Sequence, residues 1–207
     1  MLQQISLATE GLDDQAVALK LCAKLSIPVK ASCQAAGKSR LEPKLPAYNQ
    51  AAALGSWLQL RDLDFDTACP GTLCENLVIN KSRNLVLRTP VRSIESVLLA
   101  DRESMAGFFQ ISKSLIPANP DHLDHPKHDL VNLARRSRNR RVREAMVRPV
   151  GMSTPVGPAY TATIIEFVIK NGDPQQASLA SASLRRCFEA LRRLYEPRSI
   201  REASRHA

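Results

Sequence analysis

Seven arginines, Arg135, Arg136, Arg138, Arg140, Arg141, Arg143 and Arg148, stand against one acid, Glu144, in a single stretch of the chain. A guanidinium is a planar fork of donors that meets phosphate or carboxylate oxygens two at a time. The chemistry this implies is recognition of an anion. A second set, Arg185, Arg186, Arg192 and Arg193, falls on the polar side of a helical repeat whose apolar side is Ala180, Leu184, Cys187, Phe188, Leu191, Leu194 and Tyr195. Phosphate contacts position a protein without reading bases, so no sequence specificity is expected from either set. An ordinary solvated helix face would show the same pattern as the second set.

Two other groups have donor chemistry. In Arg61-Asp62-Leu63-Asp64-Phe65-Asp66-Thr67 the carboxylates alternate with other residues, and on an extended segment they would share one face and could hold a hard cation such as Mg²⁺. An acidic run alone carries no ligand geometry, so a solvated strand edge or turn is the simpler expectation. His122, His125 and His128 lie among Asp121, Asp124 and Asp129, a composition suited to Zn²⁺. Pro126 interrupts the helix that would align them, and the segment reads as a polar linker. No metal or other cofactor is therefore assigned.

Ala52-Ala53, Arg61, Leu63-Asp64-Phe65 and Asp66-Thr67 together resemble a segment of the MmgE/PrpD family, the 2-methylcitrate dehydratases and cis-aconitate decarboxylases. The likeness covers about residues 51–67. It implies a lyase, and Asp66 is the position that would carry over as catalytic. The family's His-Pro motif has Cys69-Pro70-Gly71 in its place here, and no histidine follows until His122.

The elements that must position these groups follow from apolar spacing. With 44% hydrophobic residues in 207 and only 4% aromatic, the chain can build a sizeable core, and it must do so from aliphatic side chains. Helices are expected from Asp13 or Asp14 to Pro28, over 49–60, around Met105 to Ile116, over 130–147 with Asp129 as cap, from Tyr160 to Asn171, and over 174–196 behind the cap Asp173. The last two would form a helical hairpin. Residues 29–47 read as a loop, and 83–99 as two short strands or a helix. The fold class expected is mainly α. Three regions are expected: a near-neutral helical domain at 1–116, a His/Asp/Pro linker at 117–128, and a basic helical region at 129–207.

Charge supports that division. The net charge is +9, with eleven Lys/Arg against nine Asp/Glu in residues 1–100 and eighteen against eleven thereafter. In the expected helix over 130–147 the arginines encircle the axis, so its middle must be solvated, disordered or pressed against a polyanion. Five cysteines without a CxxC pair argue against a disulfide framework. No leader pattern is seen, and no stretch approaches the ~20 apolar residues of a membrane span. The expectation is an intracellular protein, cytoplasmic or, in a eukaryote, nuclear. Its function would be non-enzymatic nucleic-acid binding, DNA or RNA, through phosphate contacts of Arg135, Arg136, Arg138, Arg140, Arg141 and Arg143, supported by Arg185, Arg186, Arg192 and Arg193. The alternatives are the lyase on Asp66 and an adaptor for acidic proteins or anionic lipid.

Overall fold

A computed structural model describes residues 4–151 and 153–195. Pro197 and the basic tail at Arg198, Arg201 and Arg205 lie outside the described residues.

The centre of the molecule is a four-stranded parallel sheet in the order β2-β1-β3-β4, made by β1 (Ile5–Thr9), β2 (Val29–Gln34), β3 (Ser56–Leu60) and β4 (Leu85–Arg88). Leu7 pairs in register with Ser32 on one side and Leu58 on the other, and Leu58 pairs with Val86. Parallel strands need crossovers, and helices supply them. α1 (Leu12–Lys24) links β1 to β2; α2 (Lys38–Leu41), a 3-10 turn and α3 (Leu45–Ala51) link β2 to β3; α4 (Pro70–Leu77) links β3 to β4.

After β4 the chain is helical: α5 (Ile94–Ala100), α6 (Arg102–Phe109), α7 (Pro126–Arg135), α8 (Arg140–Met146), α9 (Tyr160–Lys170), α10 (Pro174–Ala180) and α11 (Ala182–Tyr195). Ile5, Leu7, Leu58, Leu60 and Val86 face α1 and these helices in one apolar cluster that extends to Leu194. Ala8, Leu85 and Leu87 face the other way, onto Leu41, Leu45 and Ala52. Burying one such leucine contributes roughly 1.5–3 kcal/mol.

The class is therefore α/β, and the expected mainly α fold is corrected. Every residue of β1 is buried, so the strand shows no alternation to read. β2 was expected as loop because most of it is exposed at the sheet edge. The expected helix over 49–60 is instead the end of α3 followed by β3: the alanines continue a helix, the chain turns at 52–55, and Trp57 and Leu58 stand on the strand. Residues 83–99 divide into a strand and a helix. The helix expected around Met105 to Ile116 is α6, which Asp101 caps by accepting from the Ser104 amide at 3.3 Å and which ends at Phe109, where Gln110 takes a left-handed φ of 53°. Asp173 likewise caps α10.

Two long helices expected in the basic half are each broken. Between α7 and α8 Ser137 is buried, and its hydroxyl donates to the Phe109 carbonyl at 2.7 Å. Leu130, Val131, Leu133, Ala134, Val142 and Met146 all enter the core. The arginines therefore do not encircle one axis: each short helix has its own apolar side, and the turn between them carries the change of direction. Ser181 separates α10 from α11, its hydroxyl donating to Asp121 at 2.9 Å.

Candidate functional site

In an open parallel sheet, residues just past the strand C-termini meet at one mouth, where ligands commonly bind. Here β1 runs into Glu10 and, at the start of α1, Asp13 and Asp14; β3 runs into Arg61, Asp62 and Asp64; β4 leads through Thr89 to Glu95 on α5. Glu10, Asp62 and Asp64 are half-buried at the opening, whereas Asp14 and Glu95 are buried behind them at 3% and 1% exposure.

Their hydrogen bonding differs sharply. Glu95 accepts from Tyr160 of α9 at 2.9 Å and from Ser93, and pairs with Lys127 of α7 at 3.3 Å. Asp14 accepts from the Gly11 amide at 2.8 Å through Oδ2, which caps α1, but its Oδ1 has no partner. Glu10 Oε2 and Asp62 Oδ1 are likewise buried and without a hydrogen-bond partner. Three electrostatically coupled carboxylates thus each keep an unmet acceptor, an arrangement that costs free energy unless a proton or cation enters.

Their proton affinities record this cost. Burial, then the charge of Asp13, pushes Asp14 up to about 8. Burial holds Asp62 well above the usual carboxylate range, with Asp14, Glu95, Glu10 and Asp64 adding repulsion. Glu10 is raised by burial and by Asp64, against the pull of Arg61, and Asp13 by burial and Glu95. Lys127 is raised on balance: burial disfavours its charge, and Glu95 with Asp13 more than offset that.

The alternating face expected for Asp62, Asp64 and Asp66 does not form. Asp64 adopts a left-handed φ of 49°, and its amide donates to the carbonyl of Arg92, itself at φ 61°, at 2.7 Å. The two loops therefore brace each other at the ends of β3 and β4. Asp64 and Asp66 turn to Lys38, at 2.9 and 3.1 Å. Asp66 also accepts from buried Arg61, which holds its carboxyl below the usual range. Arg61 joins Asp66 to Glu42 and donates to the Asp62 carbonyl, so it fixes the loop that carries Asp62.

The three histidines are separated in role. His122 ends a 3-10 turn and lines a cleft beside β4, His125 packs against Phe65 with centroids 5.5 Å apart and ring planes tilted by 52°, and His128 bonds Asn132 at 3.1 Å. Among the described residues, no three His, Cys, Asp or Glu side chains are grouped so that they could hold a metal ion.

Much of the first arginine set has local partners. Arg140 pairs with Glu144 at 2.6 Å, Arg141 pairs with Glu166, Arg143 donates to the Ser137 carbonyl, and Arg135 donates to Asn132 at 2.8 Å. Arg136 and Arg138 border an open hollow with Gln110 and Ser112. In the second set Arg192 lies over the Phe188 ring at 5.9 Å, Arg185 is exposed, and Arg186 and Arg193 line the cleft beside β4.

Residue-type spacing marked Asp62 and Asp64 but passed over Glu10, Asp13, Asp14, Glu95, Lys127 and Tyr160. Only Glu10 carried a local signal, an acid directly after the short run Ile5–Thr9. Fold and site together define an α/β protein with an acidic mouth at the ends of a parallel sheet. Set against family models, curated proteins and solved structures, the chain matches none. Among the described residues no helix is long and apolar enough to cross a membrane.

Proposed function

We propose that this protein is a divalent-cation-dependent enzyme acting on phosphodiesters, with nucleic acid as the substrate its basic surfaces recognise. The observation that carries the reading is the set of buried, partnerless carboxylate oxygens on Glu10, Asp14 and Asp62. A hard cation takes oxygen ligands, and Mg²⁺ commonly uses one or two carboxylates together with water and substrate phosphate. The mouth therefore needs no closed three-ligand cage. Asp14 and Asp62, each with an unmet carboxylate oxygen, are the residues that would hold such an ion together with water and substrate phosphate, and it would offset their repulsion and polarise a phosphoryl oxygen. Glu10, whose proton affinity burial and Asp64 raise, is suited to exchange a proton with the attacking or leaving oxygen.

Nucleic acid is favoured over other phosphate esters by the excess of cations outside the mouth. Arg135, Arg136, Arg138, Arg140, Arg141 and Arg143, with Arg185, Arg186, Arg192 and Arg193, retain their proposed role as phosphate contacts, supported by the exposure of most of them. A lyase reading on Asp66 rests on the sequence resemblance, and in the fold that carboxylate is engaged by Arg61 and Lys38.

The test is incubation with single-stranded and duplex DNA and RNA in Mg²⁺ or Mn²⁺. Cation-dependent cleavage lost in Asp62→Asn and Glu10→Gln is the expected outcome. Cleavage of none of the four, together with tighter binding to acidic protein or anionic vesicles, would replace the enzyme with an adaptor.

A further inference from the structure

β4 is an edge strand, and α11 packs along it. Two adjoining cavities, about 610 and 180 Å³, open beside this edge and share Arg88 and Arg193. The first starts at the C-terminal end of β4 and includes Arg186 and His122; the second continues back past Leu85 to Lys81 and Arg83. From Leu85 to Thr89 the edge spans about 13 Å at ~3.3 Å per residue. On the inner side of β4 the Arg61 amide donates to the Arg88 carbonyl at 3.2 Å, which joins the strand bearing the groove to the strand that runs into Asp62.

Among the described residues, none of Lys81, Arg83, Arg88, Arg186 and Arg193 makes an ion pair with a carboxylate. Arg88 instead donates to the carbonyls of Leu87 at 2.9 Å and Arg186 at 3.5 Å, and its Nε is buried without a partner. Lys81 donates to the Leu85 carbonyl at 3.0 Å, and burial, then nearby Arg88, depresses its pKa. Asp121, an acid at the groove, is taken up by the Ser181 hydroxyl and Ser183 amide at 2.9 and 3.2 Å. This differs from the first arginine set, where Arg140 and Arg141 already have carboxylate partners.

We infer that the groove between β4 and α11, lined by Lys81, Arg83, Arg88, Arg186 and Arg193, is a track for the phosphate backbone of one nucleic-acid strand. The inference rests on the proposed phosphodiester chemistry and adds the path of the substrate. It also divides the second arginine set: Arg186 and Arg193 face the track, whereas Arg185 and Arg192 do not line it.

The test is fluorescence anisotropy of the full chain with a labelled single-stranded 12-mer, as DNA and as RNA, in EDTA so that binding is read apart from cleavage. R186Q/R193Q should weaken binding about tenfold or more and lower the salt slope by roughly 1.4, two contacts at ~0.7 each. R185Q/R192Q, with the same loss of charge, should change affinity less than about threefold, and the separate exposed variant Arg83→Gln should weaken it. Equal losses in the two double variants would overturn the track in favour of diffuse attraction. So would duplex bound at least as tightly as single strand, or vesicles of anionic lipid showing the same contrast between variants. A protein that shows the predicted contrast but cleaves nothing keeps the track and loses the proposed chemistry. Cation-dependent cleavage without the contrast does the reverse.

Discussion

Asp14 on α1 and Asp62 beyond β3 each present a buried carboxylate oxygen with no hydrogen-bond partner, and the charge of Asp14 raises the proton affinity of Asp62. Each makes the other's ionisation costly, and a cation between the strand ends would relieve both. The mouth is thus a place where stability has been given up in a way that binding can recover.

The first prediction concerns pH. The folded pKa of Asp14 is raised from 3.8 to about 8, so its contribution is fully present below the unfolded value and is lost as pH rises through the folded one. In chelator, the melting temperature should therefore fall between about pH 4 and pH 8, with a slope of at most about 1.4 kcal/mol per pH unit from this group. Asp14→Asn, which mimics the protonated form, should flatten that fall in a calorimetric pH series. An unchanged profile would show that Asp14 ionises freely.

Asp62→Asn should make the cation-free protein more stable at pH 7.5 while abolishing cleavage. A carboxamide has no charge to bury, whereas Asp62 is held well above its ordinary range by burial and four neighbouring acids. Chemical denaturation in EDTA reads the stability, and a loss of stability would mean that the carboxylate has a structural partner.

Tyr160→Phe removes the 2.9 Å donor to Glu95, which is only 1% exposed. Leaving that acceptor short of a donor should cost about 1–3 kcal/mol in urea melts. Because α9 reaches the mouth through this bond, the variant should also weaken the response of stability to divalent cation.

Gly157→Ala should destabilise by about 1–3 kcal/mol or more, measured in the same way. A Cβ there would stand 2.6 Å from the Met146 carbonyl carbon, backbone that cannot rotate aside. The result tests whether the chain after α8 packs as closely as described.

How much of this was legible in the sequence depends on where each element lies. α1 and α9 were readable because one face packs, whereas the helix expected around Met105 to Ile116 starts at Arg102 and ends at Phe109, because Gln110 turns left-handed. The strands were not readable. β1 is buried throughout and too short to show a period, β2 is an exposed edge, and β3 follows the alanines of α3. Glu10 and Asp14 looked like ordinary residues at a helix start, and for the Asp14 oxygen that caps α1 this is correct. Their second role arises only when parallel pairing brings the ends of β1 and β3 together. Glu95 and Tyr160 lie 65 positions apart, and no local pattern joins them.

The most direct measurement is calorimetric titration of the intact protein with Mn²⁺ at pH 7.5 in two buffers of different ionisation enthalpy. Wild type should bind saturably and release protons, because the raised carboxylates of Asp14 and Asp62 must be ionised to accept the ion. Asp62→Asn should bind at least tenfold more weakly and release fewer. No saturable binding by wild type, or binding and proton release unaltered in Asp62→Asn, would contradict the assignment of a cation to this mouth.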